Sequence, residues 1–160
     1  MSDEKTFTES EAHLHFAKQY NGKTWGLLDK PDRTSEENEM MLDYAHASLA
    51  HWRVVGTAVH QQRGEWMIAR VHTLLENGEP ALRHARRVAE LTESHKSEMS
   101  DFDFAFAYES LARAYALNGE KVEAKKIIGM AQKAGEAIAD KEDRDIFFTD
   151  FNGGAWYGIK

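Results

Sequence analysis

The chain contains no cysteine. That excludes disulfide bridges, a thiol nucleophile and thiolate zinc sites. Prolines number only two, Pro31 and Pro80, so few positions forbid a helix and long helices are favoured. No apolar run approaches the roughly 20 residues of a membrane span, and no membrane partner is expected. The opening residues, Met-Ser-Asp-Glu-Lys-Thr, lack a basic stretch leading into an apolar one. No secretory signal is therefore expected, and a cytoplasmic setting fits. Positive charge is in deficit, with a formal net charge of −7. Nucleic acid is thus disfavoured as a main partner, because such binding rests on neutralising phosphates. The one basic cluster, Arg83-His84-Ala85-Arg86-Arg87, reads as a solvated helix face. A Gly-x-Ser-x-Gly nucleophile turn and a phosphate-cradling glycine loop are both missing.

What is present is a chain of 160 residues, 42% apolar and 29% charged. It is long enough to bury a core as one domain, residues 1–160. Apolar residues recur at helical spacing almost throughout, and no period-two strand pattern survives inspection. The pattern predicts seven helices. The first covers about 9–29, with Leu14, Ala17, Tyr20, Leu27 and Leu28 inward and a kink or break at Asn21-Gly22. A second starts at Thr34 or Ser35, where Thr34 and Glu37 form a capping box, and ends near Gly56. The third spans about 57–76 and closes on Asn77-Gly78 as a left-handed C-cap. Pro80 lies in the first turn of the fourth, where its missing N–H costs nothing, and that helix ends near His95. The fifth begins at Ser100 or Asp101 and ends at Asn118-Gly119. The sixth runs over 120–139. Asp140 then caps a short seventh helix, 140–152, with Ile146, Phe147, Phe148 and Phe151, stopped by Asn152-Gly153-Gly154. The aromatic tail, 153–160, either packs back on the body or marks a contact surface.

Within this pattern one helix–turn–helix unit occurs twice. The clearer copy is Tyr108, Leu111-Ala112, Tyr115 and Gly119, followed by Ala124, Ile128 and Ala131. The other is Ala69-Arg70, His72 and Leu74, followed by Ala81, Ala85 and Val88, forty-three residues earlier without a gap. Small residues fall where two helices approach closely, and larger ones fill the gaps between them. One such pair cannot bury its apolar face alone, so pairs stack.

At these residues the chain resembles the tetratricopeptide repeat, over about 63–138. It is also similar in layout to a family of uncharacterised bacterial proteins, which adds no activity. The resemblance implies a right-handed array of about three antiparallel helix pairs, 9–56, 57–95 and 100–139, with 140–152 as a capping helix. It also implies a non-catalytic module that binds a peptide or protein segment on a concave face. Carried over position by position, that face shows Arg63, Trp66, Arg70 and Thr73 from one unit, and Phe106, Glu109 and Arg113 from the next, with Ala116 beside them. Arg70 and Arg113 hold equivalent positions. They either clamp a carboxylate together or are exposed or paired with Glu65 and Glu109.

Eight histidines raise a second reading, a small metal- or ligand-dependent helical enzyme using His46, Asp43 and His72. Glu39, Asp43 and His46 share one helical face, yet Asp43-Tyr44-Ala45-His46 has no partner motif on another helix, as a carboxylate-bridged metal pair requires. No cofactor is expected. The third reading is a homo-oligomer that buries its aromatic C-terminus in a neighbour. The four tryptophans, Trp25, Trp52, Trp66 and Trp156, are expected mostly in the core, with Trp66 the exception because of its repeat position.

Overall fold

A computed structural model describes residues 3–160; Met1 and Ser2, at the head of the polar N-terminal stretch, lie outside it. The described residues are all-α and contain no strand. Seven helices follow in order: α1 (Glu9–Leu28), α2 (Ser35–Val55), α3 (Ala58–Leu74), α4 (Gly78–Ser94), α5 (Asp101–Leu117), α6 (Lys121–Glu136) and α7 (Lys141–Asn152). A short 3-10 turn, Lys96–Glu98, precedes α5. Among the described residues no helix is long and apolar enough to cross a membrane. The contacts divide the fold into two compact units, residues up to Gly64 and residues from Glu65 onward.

Local chemistry starts the helices where the sequence predicts. Thr8, Thr34 and Ser100 each accept a backbone N–H three residues on, while Glu11, Glu37 and Asp103 return the bond to the cap's own N–H. Asp140 caps α7 by accepting from the Asp143 N–H at 2.9 Å. Each such cap stabilises its helix by about 1 kcal/mol.

In the first unit α1 and α2 pack as a hairpin. Ala17, Met41, Ala45 and Leu49 are buried in it, and the Ser48 hydroxyl donates to the Ala17 carbonyl at 2.7 Å. Such close approach needs the small residues at the seam. The predicted break at Asn21-Gly22 does not occur; α1 runs through it. A mid-helix glycine costs about 1 kcal/mol, less than the packing of a twenty-residue helix recovers. Arg33 ends α1 by donating to the carbonyls of Leu27, Leu28 and Lys30. Leu14 and Trp25, expected inside, are 39% and 36% exposed. The seam passes through Ala17 and Thr24, both fully buried, leaving Leu14 and Trp25 on its flank. Beyond α2 the chain turns tightly at Gly56, where a Cβ would lie 2.6 Å from the Trp52 carbonyl oxygen and 2.8 Å from the His60 Cβ. The rings of Trp52 and His60 stack at 4.2 Å, and His60 Nδ1 accepts the Thr57 N–H at 3.0 Å.

The second unit carries the repeat. The starts and ends of α3 and α5, and the starts of α4 and α6, each recur forty-three residues apart. The turns match as well. Gly119 has φ +75° and the Glu120 N–H reaches back to the Tyr115 carbonyl at 3.0 Å. At the equivalent place Glu76 has φ +59°, and the Asn77 N–H reaches the His72 carbonyl at 2.8 Å. Both ends are therefore closed by a left-handed residue one place before the last donor. The left-handed residue at the end of α3 is thus Glu76, not the expected Asn77-Gly78. Gly78 serves close approach instead: Asn118 donates to its carbonyl at 2.7 Å, and a Cβ there would meet Asn118 Oδ1 at 2.8 Å. Leu74, read as a gap filler, is 46% exposed, since it falls in the last turn of α3.

Helix α5 is the centre of this unit and packs against α4, α6 and α7. Its alanines 105, 107, 112, 114 and 116 are all buried, which is how three helices come close to one. Alongside them Phe106, Phe147, Phe151 and Trp156 form the aromatic part of the core. Gly135 of α6 lies directly under the Phe147 ring, with no room for a side chain.

Candidate functional site

Three of the residues predicted to bind a peptide, Arg70, Thr73 and Arg113, meet the end of the same chain. Helix α7 stops at Asn152, and Gly154 at φ +69° turns the tail back. Arg113, in the middle of α5 and only 9% exposed, receives it. Its guanidinium donates to the main-chain carbonyls of Asp150 at 2.6 Å, Gly153 at 2.9 Å and Ala155 at 2.9 Å. It lies over the Trp156 ring, 4.1 Å from the centroid. On its inner side Arg113 is ion-paired with Glu109, which is 1% exposed. A lone buried carboxylate would be costly, so the pair is a unit, with Glu109 setting the guanidinium in place. Planar geometry and five N–H donors let one arginine serve a carboxylate and three carbonyls at once.

The other predicted residues divide between the two units. Arg70 pairs with the Asp150 carboxylate at 3.6 Å and lies over the Trp66 ring. The two repeat-equivalent arginines therefore both meet Asp150, Arg70 at its side chain and Arg113 at its carbonyl. Trp66 packs edge-on against Phe106, which also meets Phe102 and Phe147. Thr73 is buried; its hydroxyl donates to the Ala69 carbonyl, and its own carbonyl accepts from the Tyr157 hydroxyl at 3.0 Å. Phe106 and Glu109 are buried side chains rather than open groove walls. Ala116 is likewise buried. Arg63 belongs to the first unit, where it is exposed and its charge acts on His60.

Three residues of the aromatic tail, which packs back on the body, complete the site. Trp156 is 6% exposed and its indole N–H donates to the Phe151 carbonyl at 3.0 Å. Burial pushes the Tyr157 hydroxyl up from its ordinary pKa, with Glu76 adding to the effect and Arg113 opposing it. The Lys160 ammonium lies 3.4 Å from the centre of the Phe151 ring and donates to the Phe151 carbonyl. Burial and then the charge of Arg113 lower its pKa.

The residues read as a metal site, Glu39, Asp43 and His46, are exposed on α2. Among the described residues Glu39 and Asp43 belong to no cluster of potential ligand atoms. His72, also named in the enzyme reading, stacks its ring on that of His84, 5.7 Å between centroids and 12° between planes. His84 is buried, and its Nδ1 lies 2.5 Å from the Glu65 carboxylate. Compared with known protein families, with curated proteins and with solved structures, the chain matches none.

Proposed function

We propose that the helix pairs α3–α4 and α5–α6 are arranged as tetratricopeptide-like repeats and form a non-catalytic module that binds a peptide or protein segment. The observation that supports this best is Arg113 giving three hydrogen bonds to main-chain carbonyls of an irregular segment. Carbonyls are common to every peptide, so such a residue suits a ligand held by its backbone. The adjoining surface takes an aromatic side chain, as Trp156 shows by stacking on Arg113. Arg70 adds a place for an acidic group, filled here by Asp150. The tail covers the face, and a partner peptide competes with it. A tethered segment acts at an effective concentration in the millimolar range, so free peptide binds weakly until the tail is loosened.

The experiment is a titration of a labelled synthetic peptide spanning residues 150–160, followed by fluorescence anisotropy. Its protein partners are the full-length chain and its Trp156→Ala variant. Saturable binding that tightens in Trp156→Ala and falls when Arg70→Ala is added supports the reading. Absence of binding to a Trp156→Ala protein that keeps its helical circular dichroism and cooperative melt overturns it.

A further inference from the structure

We propose that His72 and His84 form a binding site for a divalent transition-metal ion of the zinc class, with Glu65 as the carboxylate that orients His84. His72 lies in the last turn of α3, and His84 lies in the second turn of α4. The hairpin between them turns at Glu76, so the two imidazoles face each other across the seam. Their rings are nearly parallel, and a ring nitrogen of one lies within 4.8 Å of a ring nitrogen of the other. Zinc–nitrogen bonds are about 2.0–2.1 Å, so two ligands on a tetrahedral ion sit about 3.3 Å apart. A modest rotation of the half-buried His72 closes that difference.

The surroundings set each ring's proton. An ionised carboxylate only accepts, so Glu65 takes a hydrogen bond from His84 Nδ1 and leaves Nε2 as the basic nitrogen. That is the carboxylate–histidine pattern that fixes the tautomer of metal-ligating imidazoles and raises their basicity. Glu65 is 2% exposed, and its second oxygen faces the Arg87 guanidinium at 3.4 Å. His72 Nδ1 faces the Asn77 amide at 3.2 Å. The facing atom is the amide nitrogen, which donates to Nδ1; a metal ion at Nε2 moves the imidazole proton to Nδ1, and the Asn77 amide then turns over to accept it.

Imidazole nitrogens in a chain without cysteine suit Zn²⁺, Ni²⁺ or Cu²⁺ rather than the soft ions that thiolates select. A buried carboxylate against the His84 imidazole adds negative charge that favours a cation over neutral water.

The test uses full-length protein without an affinity tag, dialysed against a chelator and then titrated with ZnCl₂ against a chromophoric competitor. One ion per chain, bound in the micromolar range or tighter with a raised melting temperature, is expected. His72→Gln and His84→Gln should each weaken binding at least tenfold. Glu65→Gln, which keeps both ligands, should weaken it by about tenfold. X-ray absorption at the zinc edge should show two imidazoles. Binding that is absent, or that persists unchanged in His72→Gln, overturns the proposal; His72 is half-buried, and that variant leaves the His84–Glu65 contact in place. None of these outcomes depends on whether the tail face binds peptide.

Discussion

Arg113 stacks its guanidinium on the indole of Trp156, 4.1 Å from the ring centroid, and so joins the middle of α5 to the end of the chain. The same guanidinium answers the buried Glu109. Removing it therefore strands a charge and releases the tail together. Arg113→Met should cost about 3–5 kcal/mol, the usual penalty for orphaning one member of a buried ion pair. Arg113→Met combined with Glu109→Leu should recover much of that loss. Urea unfolding followed by tryptophan fluorescence measures both. Equal stability of the single and double variants would show that Glu109 is not the source of the cost.

Gly135 offers a test of how α7 is seated. A methyl group at this position runs into the Phe147 ring, and Phe147 is fully buried. Gly135→Ala should destabilise the protein by about 1–3 kcal/mol despite alanine's better helix propensity. A neutral or stabilising result in thermal melts would mean that α7 moves freely on α6.

Glu76 offers the opposite case. It holds φ +59° where the second repeat unit has Gly119 at +75°. A left-handed conformation costs an ordinary L-residue about 1–2 kcal/mol and glycine almost nothing. Glu76→Gly should gain about 1 kcal/mol after the extra entropy of the unfolded glycine is counted, raising the melting temperature by about 2–4 °C. A lower melting temperature would show that the Glu76 side chain has a stabilising role of its own.

His60 should make stability depend on pH. Burial, and then the charges of Arg63 and Lys18, lower its pKa from the ordinary 6.5. The unfolded chain therefore binds the proton more readily than the folded one, and stability rises with pH. Its contribution is complete above the unfolded value and declines as the pH falls below that value towards the lowered folded one. Protonation also removes the acceptor that Nδ1 provides for the Thr57 N–H. Melts of the wild type and His60→Gln from about pH 7.5 down to about pH 5 should converge as the pH falls. Parallel curves would place the pH dependence elsewhere.

The parts of this fold that sequence reveals are those decided within a few residues. Thr34 with Glu37 and Asp140 before α7 act across three positions, and each caps as expected. The forty-three-residue spacing likewise survives into the helix ends, because the same small residues meet the same helix diameter in both copies. Longer-range partners are hidden. Nothing near Glu65 in the chain says that its carboxylate meets His84, nineteen residues on. Trp25 and Trp156 are equally apolar, and only the path of the tail buries one and leaves the other on a flank. Arg113 is a conspicuous candidate by repeat position and Glu109 stands one turn away, yet the carbonyls it holds at Gly153 and Ala155 lie some forty residues away.

The bond from Tyr157 to the Thr73 carbonyl spans eighty-four residues, and this separation implies an order of assembly. The α3–α4 and α5–α6 hairpins close short loops and can form early, whereas joining Thr73 to Tyr157 must meet the entropy of a loop containing both. The tail accordingly docks last and detaches first. The lowest-lying excursion of the folded protein is then a species with intact helices, an exposed Arg113 and a loose C-terminus. In hydrogen exchange, amides of the last residues should lose protection well before those in the middle of α5.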